Sequence, residues 1–199
     1  MDGLFKEPYV VKNLYLDTET TGLNPQKNGL IQISGAVEIE GKEKEKFNFF
    51  VKPFPEDEID PKALSVSGTT TEKLETYPAA AEIYGEFKEL LKRYVNPFDK
   101  QDKFFFVAYN ARFDWDFLEK FFSKNQDNYF RSFFFFPPID VMYLAAEFLK
   151  EKRYLMENFK LASVASMMGI ELKEENLHDA EYDIYLTQAI YHKIQSYML

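Results

Sequence analysis

The 199-residue chain is long enough for one domain, or for one domain with a large insertion, and its 46% hydrophobic and 29% charged residues are typical of a globular protein. No apolar run approaches the roughly 18 residues that span a bilayer, and the N-terminus lacks signal-peptide features, so we expect a single domain over residues 1–199, in the cytoplasm and without membrane contact. The absence of cysteine excludes disulfides and thiolate metal ligands, and the net charge of −9 argues against a broad electrostatic contact with duplex DNA.

The hydrophobic pattern predicts an antiparallel start followed by alternating helices and apolar strands. Strands are predicted over 10–16, 30–39, 47–51 and 103–109, with Gly41 in the turn of a hairpin. Helices are predicted over 61–66, 78–94 and 159–168, and others begin near Asn110, Asp140 and Asp179. This order predicts an α/β fold in which helices cover a mixed sheet.

Two acids, Asp17 and Glu19, stand at the end of the first predicted strand. Because alternate residues of a strand point to the same face, both carboxylates leave on one side, which suits a hard divalent ion. The alternative is an exposed, solvated strand end. Thr18, Thr20 and Thr21 fit hydrogen bonding at the strand end as well as substrate contacts.

Further acids stand at two predicted helix starts. Asp114 lies in the first turn after a buried strand, where Asp116 would serve a purely structural role equally well. His178 and Asp183 would lie about 140° apart on a continuous helix, so they share a face only if Asp179 caps the helix and His178 precedes it. A structural role for this histidine is the alternative.

Together, segments 17–23, 110–114 and 178–183 resemble the three motifs of the DEDD-type 3′-to-5′ exonucleases. The branch is DEDDh, whose last motif carries a histidine and which includes the proofreading epsilon subunit of bacterial DNA polymerase III and ribonuclease T. Segments 63–69 and 139–145 are also similar to the family, and the similarity spans residues 11–192. The resemblance implies a ribonuclease H-like fold with a five-stranded mixed sheet. Tyr109 and Ser67 depart from the family at positions that contact substrate.

The resemblance also implies a catalytic set. Four carboxylates would hold two divalent cations, Mg²⁺ or in its place Mn²⁺: Asp17, Glu19, Asp114 and Asp183. His178 would accept the proton of the attacking water, because an imidazole titrates near neutral pH.

Residues around this set would bind the terminal nucleotide. The resemblance implies six such positions: Thr20, Thr21, Leu23, Ser67, Asn110 and Phe113. Core packing is the alternative for Leu23 and Phe113.

We therefore expect a metal-dependent 3′-to-5′ exonuclease that releases nucleoside 5′-monophosphates from single-stranded or frayed ends, with DNA favoured over RNA. The partners would be DNA or RNA 3′ ends and a DNA polymerase. The alternatives are an RNA-trimming enzyme of the same family and a non-catalytic module that binds nucleic acid or a polymerase. Segment 133–136, four consecutive phenylalanines, fills a core or forms a partner surface, and His192 is given no role because no acid stands at a useful spacing.

Overall fold

The structure is a computed structural model that describes residues 9–173 and 180–198. A hairpin begins the sheet, and both residues of its turn, Glu40 and Gly41, have positive φ, which matches the twist of the flanking strands. The described strands are β1 Lys12–Thr20, β2 Leu30–Ile39, β3 Lys42–Phe50, β4 Phe105–Ala108 and β5 Ile139–Asp140.

The five strands form one mixed sheet in the order β3-β2-β1-β4-β5. β1 pairs antiparallel with β2 and parallel with β4, which pairs parallel with β5. The carboxyl ends of β1 and β4 therefore meet at the same edge of the sheet. The sequence-based prediction of an α/β fold with a five-stranded mixed sheet is confirmed.

Helices cover both faces of this sheet. The described helices are α1 Pro61–Val66, α2 Thr71–Leu74, α3 Ala80–Tyr94, α4 Ala111–Lys124, α5 Val141–Phe148, α6 Leu161–Met167 and α7 Ala180–Gln195. None of the helices in the described ranges is long and apolar enough to cross a membrane.

Alternate residues of β1 enter two separate hydrophobic cores. Leu14 and Leu16 pack on one face of the sheet, with α3 and α4. Tyr15 packs on the other face, with α5, α6 and α7. Because β1 is the central strand and both of its faces are covered, its register is strongly fixed.

The bounds of some elements differ from the predicted ones. β1 continues four residues past its predicted end, because its ladder with β2 extends to the pair Thr20 and Leu30. Asp17 and Glu19 therefore lie inside the strand rather than after it. Pro78 precedes α3 instead of opening it, and its carbonyl accepts a hydrogen bond from the Lys52 amide.

The phenylalanine-rich segments are divided between core and surface. Phe104 and Phe106 are fully buried, as a buried strand requires. In the segment 133–136, Phe133 and Phe134 are buried in the first core, whereas Phe136 is 57% exposed. Core packing thus accounts for half of that segment.

Gly35 of β2 lies where β1 and β3 pack closely against it. It pairs with Leu16, and a Cβ at this position would lie 2.4 Å from the Tyr15 carbonyl oxygen and 2.5 Å from Phe47 Cζ. We expect Gly35→Ala to destabilise the fold by about 3 kcal/mol, because neither the β1 backbone nor the buried Phe47 ring can move away without losing other contacts. Thermal unfolding followed by circular dichroism measures this change.

Gly85→Ala is the matched control for that substitution. Gly85 lies inside α3 and a Cβ there meets nothing within 4 Å, so alanine should stabilise the helix by about 0.5 to 1 kcal/mol. Equal melting temperatures for the two variants would show that Gly35 is not closely packed.

Candidate active site

Four carboxylates from three elements interact through their charges near the edge where β1 and β4 end. Asp17 and Glu19 come from β1, Asp114 from the first turn of α4 and Asp183 from the first turn of α7. Burial raises the pKa of Asp17 well above its usual range, and the charges of Asp114, Glu19 and Asp183 raise it further. A cation would relieve this repulsion and favour the ionised form.

These carboxylates have the donor chemistry of a site for a hard divalent ion, because all their ligand atoms are oxygens. In the ranges 9–173 and 180–198, no three histidine, aspartate or glutamate side chains already form a metal-binding cluster. Ligation by Asp17, Glu19, Asp114 and Asp183 therefore stays a prediction. His178 and Asp179 lie outside the described residues, so the role predicted for His178 also stays a prediction.

Asp114 is held in place from β1. Its Oδ1 accepts hydrogen bonds from the Thr18 amide at 2.9 Å and from the Thr18 hydroxyl at 2.8 Å. Burial raises the pKa of Asp114 to about 7, against the lowering effect of these hydrogen bonds. Asp116, which the sequence could not distinguish from it, instead pairs with Arg112 at 2.7 Å along the same helix.

The turn between β4 and α4 is hydrogen-bonded to another aspartate, Asp140. Asn110 at this turn has φ 64°, a left-handed conformation that asparagine tolerates better than most residues. Its amide donates to Asp140 Oδ1 at 3.1 Å, and the same oxygen caps α5 by accepting from the Met142 amide at 2.9 Å. Asp140 thus connects the segment that carries Asp114 to the next strand.

The two threonines predicted to bind substrate already have intramolecular hydrogen bonds. Thr20 donates its hydroxyl to the Gly22 carbonyl at 2.6 Å. Thr21 is fully buried, donates its hydroxyl to the Glu58 carbonyl at 2.6 Å and accepts from the Gly29 amide at 2.8 Å. Both residues shape the loop after β1, so their contact with substrate stays a prediction.

The other predicted substrate residues differ in exposure. Leu23 is 84% exposed, which rules out core packing as the explanation for it. Phe113 is half-buried, with its ring centroid 4.8 Å from that of Phe117. Ser67 closes α1 and donates its hydroxyl to the Leu64 carbonyl. Asn110 is exposed at the edge already described.

Comparison with known proteins gives one family match over most of the chain. Residues 14–191 match the family RNase T, described as Exonuclease. A PolC-type DNA polymerase III from Thermotoga petrophila is 32% identical over 156 residues, which are 78% of this chain and 10% of that protein. The DNA polymerase III epsilon subunit of Escherichia coli K12 is 27% identical over 187 residues, 92% of this chain and 70% of that protein.

Two further matches concern a shorter segment and the fold. The 3′-5′ DNA exonuclease Cap18 of Escherichia coli is 35% identical over 111 residues, 54% of each chain. Escherichia coli exonuclease I, solved with a dT13 oligonucleotide, superposes with a TM-score of 0.71 at 22% identity, over 91% of this chain and 40% of that one. This last likeness concerns the fold. The chain spans about a tenth of the length of the PolC-type relatives.

A buried polar network lies on the same face of the sheet as the carboxylates, toward the other end of β1. Glu38 of β2 is 4% exposed, and its carboxylate lies 2.8 Å from His192 Nε2 on α7. Asn13 and Tyr15 donate further hydrogen bonds to Glu38, at 2.9 and 3.2 Å. This partner of His192 is not predictable from the sequence, because Glu38 is distant in the chain and only the packing of α7 on β2 brings the two together.

The pKa values of this pair move in opposite directions. The hydrogen bond to Glu38 raises the pKa of His192 against the effect of burial. Burial opposes the ionisation of Glu38, but hydrogen bonds from His192, Asn13 and Tyr15 outweigh it and lower the pKa. The stability that His192 contributes is complete below its unfolded pKa of about 6.5 and is lost as the pH rises through its folded value. The Glu38 contribution is present above about pH 4.5.

His192→Gln should therefore destabilise the protein more at pH 5.5 than at pH 9. The imidazole is partly exposed, so we expect a difference of only about 2 °C in the melting-temperature loss between the two values. Thermal unfolding at both pH values, with Lys193→Gln as the control from the same turn, measures it. A loss that does not change with pH would show that the ion pair does not stabilise the fold.

Proposed function

This chain belongs to the exonuclease family, and on that premise we propose that it is a metal-dependent 3′-to-5′ exonuclease acting on single-stranded or frayed DNA. The products would be nucleoside 5′-monophosphates. One observation supports the proposal more than any other: the charges of three further carboxylates act on Asp17, one from the same strand, Glu19, and two from other elements, Asp114 of α4 and Asp183 of α7. A structural role would not require four acids to oppose one another in this way.

Exonucleases of this family use divalent metal ions. We propose two ions here, Mg²⁺ or in its place Mn²⁺, held by Asp17, Glu19, Asp114 and Asp183. When bound, such ions polarise the scissile phosphate and stabilise charge on the attacking and leaving oxygens. Thr18 holds the Asp114 carboxylate in one orientation, which reduces the reorganisation needed on binding.

The proposed general base is His178, which would accept the proton of the attacking water. Histidine suits this role because the ordinary pKa of an imidazole lies near neutral pH, and a histidine outside the carboxylate set would keep proton transfer separate from ion binding. Leu23 is proposed to contact the terminal bases, because a leucine with 84% exposure beside this edge offers an apolar surface to them. Thr20, Thr21, Ser67, Asn110 and Phe113 would complete the binding site.

DNA is the proposed substrate because the relatives named above include a DNA exonuclease, a DNA polymerase and a subunit of a DNA polymerase. RNA trimming within the same family is the second candidate, and a DNA polymerase is the proposed protein partner. We further propose that residues 1–199 form one exonuclease domain, since the family match covers residues 14–191. A non-catalytic binding module would need no such set of acids and is the less favoured alternative.

Two oligonucleotides of the same sequence, one DNA and one RNA, each labelled at the 5′ end, test the activity directly. With Mg²⁺ or Mn²⁺ we expect a ladder of labelled products that shorten from the 3′ end, faster for DNA, and no cleavage in the presence of EDTA. Release of a short labelled fragment as the first product, or cleavage in EDTA, would contradict the proposal.

Variants assign the roles within the same assay. His178→Ala should lower kcat by about 10²- to 10⁴-fold, the usual contribution of a general base, while oligonucleotide affinity changes little. Asp114→Asn should lower activity strongly, whereas its matched control Asp116→Asn should stay within about twofold of wild type, since it loses only a surface ion pair with Arg112. Equal losses in these two asparagine variants would remove Asp114 from the site.

A further inference from the structure

A basic cleft of about 780 Å³ lies between three segments of the chain: the second half of α3, the loop that leads into β4, and residues 127–133. Four lysines line it, together with one aspartate: Lys88, Lys92, Lys100, Lys103 and Asp127. This local excess of positive charge contrasts with the net charge of −9 of the whole chain. The lining of the basic cleft is therefore opposite in the sign of its net charge to the chain as a whole.

Two of the four lysines are matched by acids, and two are not. Lys88 lies 2.6 Å from Asp127, and Lys92 lies 2.7 Å from Glu89. Lys103 donates to the Arg131 carbonyl at 2.6 Å, a contact that leaves its charge uncompensated. Among the described residues, neither Lys103 nor Lys100 forms an ion pair, so two full positive charges face the basic cleft.

Large aromatic side chains at the same cleft are left in water. Phe98 is 95% exposed and Tyr129 is 75% exposed, while Phe133 beside them is buried. A phenylalanine this exposed gains nothing from folding, and apolar surface beside concentrated charge is typical of interaction sites. The exposed aromatics and the lysines thus indicate one ligand with both apolar and acidic groups.

The basic cleft lies at the opposite end of the sheet from the carboxylates. Lys103 precedes β4, and Asn110 follows it at the edge where Asp114 stands. At about 3.3 Å per residue, the run between them separates the two sites by roughly 20 Å. A ligand in the basic cleft would not occupy the position of a terminal nucleotide.

We propose that the basic cleft docks an acidic segment of a partner protein that carries a phenylalanine or large aliphatic side chain among its carboxylates. Its carboxylates would pair with Lys100 and Lys103, and its apolar side chain would cover Phe98. A cleft of this volume admits one or two anchoring side chains, the scale of a short peptide. A nucleic-acid strand would extend beyond the cleft, and its phosphates would be repelled by the acidic surface around it. A short peptide fits within the cleft and largely avoids this repulsion.

Peptide display on phage against the full chain tests this proposal without assuming a partner. We expect the selected random peptides to be enriched in Asp and Glu next to Phe or Leu. The most frequent peptide, synthesised with a fluorescein label, should bind at least about tenfold more weakly to Phe98→Ser and to Lys100→Glu, by fluorescence anisotropy. Both side chains are exposed, so neither substitution should affect folding.

Lys152→Glu is the matched control, an exposed lysine on another part of the surface, and it should keep peptide affinity within about twofold. Selection without acidic enrichment, or equal binding to all variants, would overturn the proposal. So would displacement of the peptide by an unlabelled dT12 oligonucleotide together with loss of that oligonucleotide's affinity in Lys100→Glu. Neither variant touches the carboxylates, so failure here leaves the exonuclease proposal intact.

Discussion

Repulsion among carboxylates at the end of β1 is the constraint around which this molecule is organised. Asp17 lies in the central strand, partly buried, with the charges of Glu19, Asp114 and Asp183 raising its pKa. Carboxylates that repel one another at such a position are costly, and they persist only if the surrounding structure fixes them. Here the cost is offset by two hydrophobic cores, one on each face of the sheet, which lock the register of β1. A site of this kind suits a function that supplies positive charge from outside the chain.

One face of β1 shows the contrast within a single strand. Asn13 and Tyr15 meet a carboxylate, Glu38, whose charge is balanced by His192 of α7. Two residues further along lies Asp17, whose pKa is raised by burial and by the charges of three neighbouring acids. The same helix, α7, supplies the compensating histidine near its end and Asp183 near its start. The ion pair thus holds α7, the helix that carries Asp183, against the sheet. In this way the contacts at one end of β1 help to position the carboxylates at the other end.

The sequence predicted the parts of this fold that depend on local pattern. The bounds of β2 and α1 match the structure because turn residues and hydrophobic periodicity delimit them. Local pattern could not separate Asp114 from Asp116, since they differ in tertiary contacts: Asp114 accepts hydrogen bonds from Thr18 of β1, whereas Asp116 pairs with Arg112 on its own helix. Local pattern also could not predict two further features, the ion pair of Glu38 with His192 and the basic cleft. Both are formed by segments that are distant in the chain. Phe136 shows the limit of composition: it ends a run of four phenylalanines that begins with two buried ones, yet it lies on the surface.

The most direct test of the central claim is to locate Mn²⁺ by anomalous scattering in crystals of the protein soaked with that ion. We expect anomalous peaks bounded by oxygens of Asp17, Glu19, Asp114 and Asp183, and we expect these peaks to be lost in Asp17→Asn. Peaks located only elsewhere, or peaks at this edge that persist unchanged in Asp17→Asn, would contradict it.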